Sequence, residues 1–133
     1  MKRTHIVAAI IFNQEQSQVY ITKRPAHLHK GGFWEFPGGK VESGESIEAA
    51  IHRELDEEIG IDVVVQHPYQ HLTHDYPDKS LVFDFISVTD FTGTPYGREG
   101  QEGQWVSIAA LVDYQFPEAN LPIVEQLIHD FSR

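Results

Sequence analysis

The sequence has no cysteine, so neither a disulfide framework nor a thiolate metal site can hold it together. It is also short of positive charge: 10 Lys and Arg stand against 20 Asp and Glu, a formal net charge of −10 with histidine neutral. Such an excess of carboxylate repels polyphosphate backbones and argues against DNA or RNA as a polymeric partner. A small anionic substrate stays open only if bound cations or a few placed Arg and Lys residues reverse the field locally. No apolar run approaches the roughly 20 residues that span a bilayer, so no membrane segment is expected. Lys2 and Arg3 precede a short apolar run, but it stops at Asn13 with no small-residue cleavage site beyond it, and it reads as a strand. Without thiols or a leader, cytoplasm is the default location. Repeats, low-complexity tracts and Gly/Ser linkers are missing too, so 1–133 is read as one domain that can bury about two thirds of its unfolded surface. With no long heptad pattern, a monomer is the simplest assumption.

What is present has clear periodicity. Ile6 to Phe12 is almost unbroken apolar sequence, as in a strand buried on both faces, and Val19 to Thr22 is a shorter run, so the two are expected to form a hairpin across Asn13 to Gln18. Gly31, Gly32, Pro37, Gly38 and Gly39 bracket Phe33 to Phe36 and predict a loop. Ile47, Ala50, Ile51, Leu55 and Ile59 have helical spacing, with Gly60 suited to the left-handed position beyond the helix end. Val63 to Val65 and Leu81 to Val88 read as strands, with a turn at Tyr76-Pro77-Asp78. Thr92 to Gly103 reads as a loop, Gln104 to Ile108 as a short strand, and Pro122 to Phe131 as a closing amphipathic helix. Strands with two helices on so short a chain predict an α+β fold, a mixed sheet flanked by helices.

The chemistry concentrates in GKVESGESIEAAIHRELDEEIGI, residues 39–61, where Glu54, Asp56, Glu57 and Glu58 crowd the end of a helix. Glu54 repels Glu57 and Glu58 at i,i+3 and i,i+4, each pair costing about 0.2 to 0.5 kcal/mol, and the helix dipole disfavours negative charge there. Arg53 relieves part of this through Glu57. On a helical wheel Glu54 and Glu58 share the arc of Ile47, Ile51 and Leu55, while His52 and Asp56 point away. Carboxylates turned to a core edge must be neutralised, paired or metal-bound. An all-oxygen donor set suits Mg2+ or Mn2+ rather than zinc. A solvated acidic helix end is the plain alternative, but the spacing argues against it. Gly39, Glu45, Arg53, Glu54, Leu55, Glu57, Glu58, Gly60 and Ile61 fill every fixed position of Gly-x5-Glu-x7-Arg-Glu-aliphatic-x-Glu-Glu-x-Gly-aliphatic. A chance match in a chain this long has a probability on the order of 10⁻⁸.

That pattern is the Nudix box, and the chain resembles the Nudix hydrolases. ITKRPAHLH, WEFPGGK, YPDK, GREGQEGQW and FPEAN extend the likeness to the MutT type, the 8-oxo-dGTP diphosphatases. The resemblance implies an α/β/α sandwich and Mg2+-dependent hydrolysis, with Mn2+ possible, of 8-oxo-dGTP and related purine nucleoside triphosphates to the monophosphate and pyrophosphate. Such an activity removes a mutagenic nucleotide before it enters DNA. The partner implied is a small nucleotide. The resemblance makes Glu54, Glu57 and Glu58 metal-associated carboxylates, adds the Gly38 carbonyl and Glu99 as further oxygen ligands, and makes Arg53 the residue that orients Glu54 or Glu57. Glu54 is the first choice for general base, with Glu45 and Glu99 as alternatives.

For the base and phosphates the resemblance points to Arg24, His29, Glu35, Phe36, Pro37, Gly38, Lys40, Asp78 and Asn120. Asn120 could equally cap the last helix. As a base reader it has the right chemistry. Oxidation at C8 turns guanine N7 from acceptor to donor, and an amide presents donor and acceptor side by side. Arg24 and Lys40 are either phosphate contacts or surface cations, and Phe33, Trp34 and Phe36 either wall a pocket or pack the core. Lys79 stands where the family usually has arginine, so a bidentate contact is not expected from it. His67, His71 and His74 carry no ligand spacing and read as exposed. Two rivals remain: a Nudix hydrolase for another nucleoside diphosphate derivative, and a non-catalytic nucleotide-binding module.

Overall fold

Strand β1 (Thr4–Ile11) divides the core in two. Val7, Ala9 and Ile11 pack with Ile51, Leu55 and Ile59 of helix α1 (Ile47–Ile59), whereas Ala8 and Ile10 pack with Ile123, Val124 and Leu127 of helix α2 (Leu121–Phe131). A strand with a helix against each face needs apolar residues at every position, which is why its sequence shows no alternation. The computed structural model describes residues 3–26 and 31–131. The remaining elements are β2 (Gln18–Lys23), β3 (Trp34–Glu35), β4 (Gly38–Lys40), β5 (Asp62–Tyr76), β6 (Lys79–Thr92), β7 (Gly103–Ser107) and 3₁₀ turns at Ile108–Asp113 and Glu118–Asn120.

The strands form a four-stranded sheet in the order β4-β1-β6-β5 and a three-stranded sheet in the order β3-β2-β7. The first is mixed, β1 lying parallel to β6 and antiparallel to β4. The α+β sandwich predicted from the sequence is therefore present, with a second sheet beside the mixed one. The β1–β2 hairpin is not. Asn13 Oδ1 accepts the Ser17 and Gln18 N–H groups, both at 2.9 Å, and turns the chain, but the ladder stops at the single bridge Phe12↔Val19. Both edges of β1 are already taken by β4 and β6, so β2 departs to the other sheet.

The β5–β6 hairpin is longer than the predicted segments Val63 to Val65 and Leu81 to Val88. β5 runs 15 residues along the sheet edge, mostly exposed and with register shifts near Val65 and Pro68, so polar residues hide its period. The turn is Pro77-Asp78, closing the pair Tyr76↔Lys79. Within the glycine-bracketed segment expected to be a loop, Trp34–Glu35 pairs with β2, and Gly38–Lys40 beyond it pairs with β1. Helix α1 starts as its sequence requires, Ser46 Oγ accepting the Ala49 N–H at 3.1 Å, and ends on Gly60 in the left-handed region with φ 69°. None of the described helices is long and apolar enough to cross a membrane.

Candidate active site

The acids of α1 divide by face as the helical wheel predicts. Leu55 and Ile59 are buried, Glu58 with them at 9% exposure, while His52 and Asp56 lie in solvent. The Glu58 carboxylate accepts the Gly38 N–H at 3.2 Å, and no basic side chain among the described residues pairs with it. Burial, followed by repulsion from Glu35, Glu54 and Glu99, pushes its carboxyl up to about 9. Glu54 is also raised, first by burial, with Arg53 opposing. Its carboxyl lies against Gly39, where a Cβ would come within 2.5 Å of the carboxyl carbon. The box glycine is thus the space in which Glu54 sits.

Arg53 joins this cluster to the preceding loop. Its Nε and Nη2 grip Glu45 at 2.8 and 3.0 Å, Nη2 also reaches the Lys40 carbonyl at 3.0 Å, and Nη1 donates to Glu54 Oε1 at 2.8 Å. The i,i+4 contact with Glu57 is the long one, 3.4 Å, and Glu57 stays exposed. Hydrogen bonds from Arg53 and from the Glu42 N–H hold Glu45 down at about 2. Both Glu45 oxygens are occupied by the guanidinium, so among the three candidate bases Glu45 is the one least able to take a proton.

Glu99 lies exposed in the loop between β6 and β7, and that loop docks on the C-terminal end of α1. The N–H groups of Tyr96 and Arg98 bond the Ile59 and Glu58 carbonyls at 3.1 and 3.0 Å, and Arg98 Nη1 bonds the Asp56 carbonyl at 2.9 Å. The Glu58 and Ile59 carbonyls are ones a helix end leaves unsatisfied, while that of Asp56 also accepts the Gly60 N–H at 3.2 Å. The docking places Glu99 close enough to raise both Glu54 and Glu58.

On the opposite face of β1 a cleft of about 360 Å³ is lined by Ile6, Ala8, Phe83, Glu35, Phe36 and Asn120, with Arg24, Lys40, Lys79 and Tyr76 at its sides and Gly38 and Gly39 where it meets the acids. Asn120 is 7% exposed, and its side chain makes no hydrogen bond to the first turn of α2. The capping alternative is therefore not realised, and the amide faces the cleft. Glu35 pairs with Arg24 at 2.9 Å; burial raises its carboxyl while Arg24 opposes. Phe36 does two jobs, stacking on Phe116 at 5.2 Å in the core and walling the cleft.

Among the sequence-predicted residues, Arg24, Glu35, Phe36, Gly38, Lys40 and Asn120 line the cleft. Pro37 is buried behind it, its carbonyl accepting the Ala9 N–H at 2.7 Å. Asp78 is not brought in; it is exposed on the Pro77-Asp78 turn. The hairpin contributes Lys79 and Tyr76 instead, the Lys79 ammonium lying 5.9 Å above the Tyr76 ring. His29 lies outside the described residues. His67, His71 and His74 are on β5, His71 bonding Asp84 at 2.8 Å. The floor residues Ile6, Ala8 and Phe83 carried no separate signal, since they read simply as strand core. Only the register Ile6↔Phe83 shows that they share a face.

The donor set is oxygen only, and its buried member, Glu58, faces three other carboxylates with no basic side chain among the described residues paired to it. That chemistry fits a hard divalent cation. As placed, no three acidic or histidine side chains among the described residues converge on one point. Glu54 is turned to Arg53 and Glu57 to solvent.

The NUDIX domain family matches residues 7–126. The chain is 44% identical over 124 residues to the 8-oxo-dGTP diphosphatase of Haemophilus influenzae, covering 93% of this chain and 91% of that protein. It is 34% identical over 125 residues to the CTP pyrophosphohydrolase of Escherichia coli, covering 94% and 91%. A solved structure from work on MutT of Aliivibrio salmonicida and Vibrio cholerae superposes with a TM-score of 0.89 at 61% identity, over 98% of this chain and 100% of the other.

Proposed function

Since the chain belongs to the NUDIX domain family, we propose that it is a Mg2+-dependent hydrolase that converts 8-oxo-dGTP to the monophosphate and pyrophosphate, keeping the oxidised nucleotide out of DNA. The observation that carries this reading is the junction at Gly38 and Gly39. There a mostly apolar cleft with one inward amide, Asn120, opens onto a crowd of carboxylates. Base recognition and phosphate chemistry are thus adjacent on one chain, so a monomer suffices.

Bound Mg2+ would offset the triphosphate charge and acidify the attacking water. Glu54 is the proposed general base. Arg53 fixes its Oε1, leaving Oε2 to accept the proton, and burial keeps its basicity above that of an open carboxylate. Glu45 positions Arg53. Glu54, Glu57, Glu58, Glu99 and the Gly38 carbonyl are the proposed metal-holding groups. Asn120 would read the oxidised Hoogsteen edge by donating to O6 and accepting from N7–H; normal guanine would turn an acceptor against its carbonyl. Lys40 and Lys79 supply the positive field that an acidic protein otherwise lacks.

A second substrate reading is favoured by one finding, the similarity to a CTP pyrophosphohydrolase. A nucleotide panel under Mg2+, scored by kcat/KM and by release of pyrophosphate against phosphate, decides between them. The proposal requires 8-oxo-dGTP to exceed dGTP and CTP; CTP in first place would replace it.

A further inference from the structure

We propose that Gln101 is the positioning residue that holds Glu99 at the acidic end of α1. The proposal rests on the reading above that Glu99 reaches the cation. The Gln101 carboxamide bridges two backbone sites: Nε2 donates to the Glu58 carbonyl at 3.1 Å, and Oε1 accepts the Glu99 N–H at 3.1 Å. One neutral side chain therefore ties the helix residue that carries a buried carboxylate to the loop residue that carries an exposed one. An amide suits this position, since the bridge needs a donor and an acceptor on adjacent atoms. A carboxylate would lose the donor and add a fifth negative charge to Glu35, Glu54, Glu58 and Glu99.

The surrounding loop is shaped to present this bridge. The Gly100 N–H closes a turn on the Gly97 carbonyl at 2.9 Å, with Gly100 at φ 89°, where L side chains are strained. At Gly97 a Cβ would lie 1.8 Å from the Gln101 carbonyl oxygen, so the turn closes onto the backbone of Gln101 itself. Bringing Glu99 toward Glu54 and Glu58 works against repulsion from both. Fixing the Glu99 backbone in the cation-free protein removes most of the ordering cost from the binding step.

The test is Mn2+ binding to the nucleotide-free protein, read from the electron paramagnetic resonance of free Mn2+, together with hydrogen exchange at the Glu99 amide. Gln101→Met, close in volume but unable to bridge, is expected to weaken Mn2+ binding about tenfold and to speed Glu99 exchange by a similar factor, with Tm within about 2 °C of the parent. Gln101→Asn keeps the amide but withdraws it by one methylene, and the same result is expected. In a Glu99→Gln background, Gln101→Met should add nothing, because its effect passes through Glu99. Normal Mn2+ affinity in both Gln101 variants, or equal weakening with and without the Glu99 carboxylate, overturns the proposal. Parent-like Mn2+ affinity in Glu99→Gln alone overturns the underlying reading of Glu99, and the proposal with it.

Discussion

The end of α1 and the cleft across β1 are both unfinished, but in opposite ways. At the helix end the conflict is one of charge: Glu58 is buried against three carboxylates, and among the described residues a backbone N–H is its one polar partner. In the cleft the opening is one of hydrogen bonding: Asn120 lines mostly apolar walls, and its amide is not one of the described side-chain groups sealed from solvent without a partner, so it is free to meet a polar edge. The first would accept a cation and the second a polar edge. A nucleotide–cation complex would supply both at once, and Glu35, which lines the cleft and raises Glu58, lies between the two regions. If the division is real, each region fails separately.

The largest effect is expected at the helix end. Glu54→Gln should lower kcat by about 10² to 10⁴, the range for loss of a general base, with the ratio of 8-oxo-dGTP to dGTP activity unchanged. A shift in that ratio would break the separation. Arg53→Lys comes next. A lysine cannot grip Glu45 through two nitrogens while bonding Glu54, so kcat should fall about 10²-fold with the nucleotide KM little changed. A change confined to KM would place Arg53 in substrate binding instead. Asn120→Ala should lose the preference for 8-oxo-dGTP over dGTP by about ten- to a hundredfold, as expected for one lost pairing of about 1 to 3 kcal/mol, with the Mg2+ requirement intact. Unchanged selectivity would leave Asn120 a wall residue.

The helix end was the more legible of the two in the sequence, for a physical reason. Its residues are contiguous on one helix, so a period of 3.6 fixes which acids turn inward, and Glu54, Glu58 and exposed Asp56 all lie where the wheel places them. The cleft is built from pieces far apart in the chain, joined by register: Ile6 beside Phe83, and Tyr76 and Lys79 from a hairpin tip. Resemblance assigns Asp78 to the base site, but the register leaves it exposed on the turn and brings in Tyr76 and Lys79, and the exposed polar residues of β5 hide its strand period. The expected β1–β2 hairpin failed because local turn chemistry at Asn13 says nothing about who occupies the edges of β1. Equally hidden was Arg53's bond to Glu45, which crosses from helix to loop.

The smallest effect tests the charge conflict directly, through stability. In the folded chain the Glu58 carboxyl is pushed up to about 9 from an ordinary 4.5, so over that interval the native state holds a proton that the unfolded chain has released. Stability of the cation-free protein from this group is therefore full below about 4.5 and falls as pH rises through 9. Glu45, held down at about 2, has the opposite sign: its contribution is present above about 4.5 and is lost as pH falls through 2. Glu58→Gln removes the titration and keeps the shape. Measured without divalent cations, its Tm should exceed that of the parent by several degrees at about pH 9, and the gap should close toward about pH 5. Mg2+ should raise the parent's Tm at high pH more than the variant's, since the ion then stands where the proton did. Parallel Tm curves for parent and variant across this range would mean that the buried carboxylate is relieved by something other than a proton or a cation.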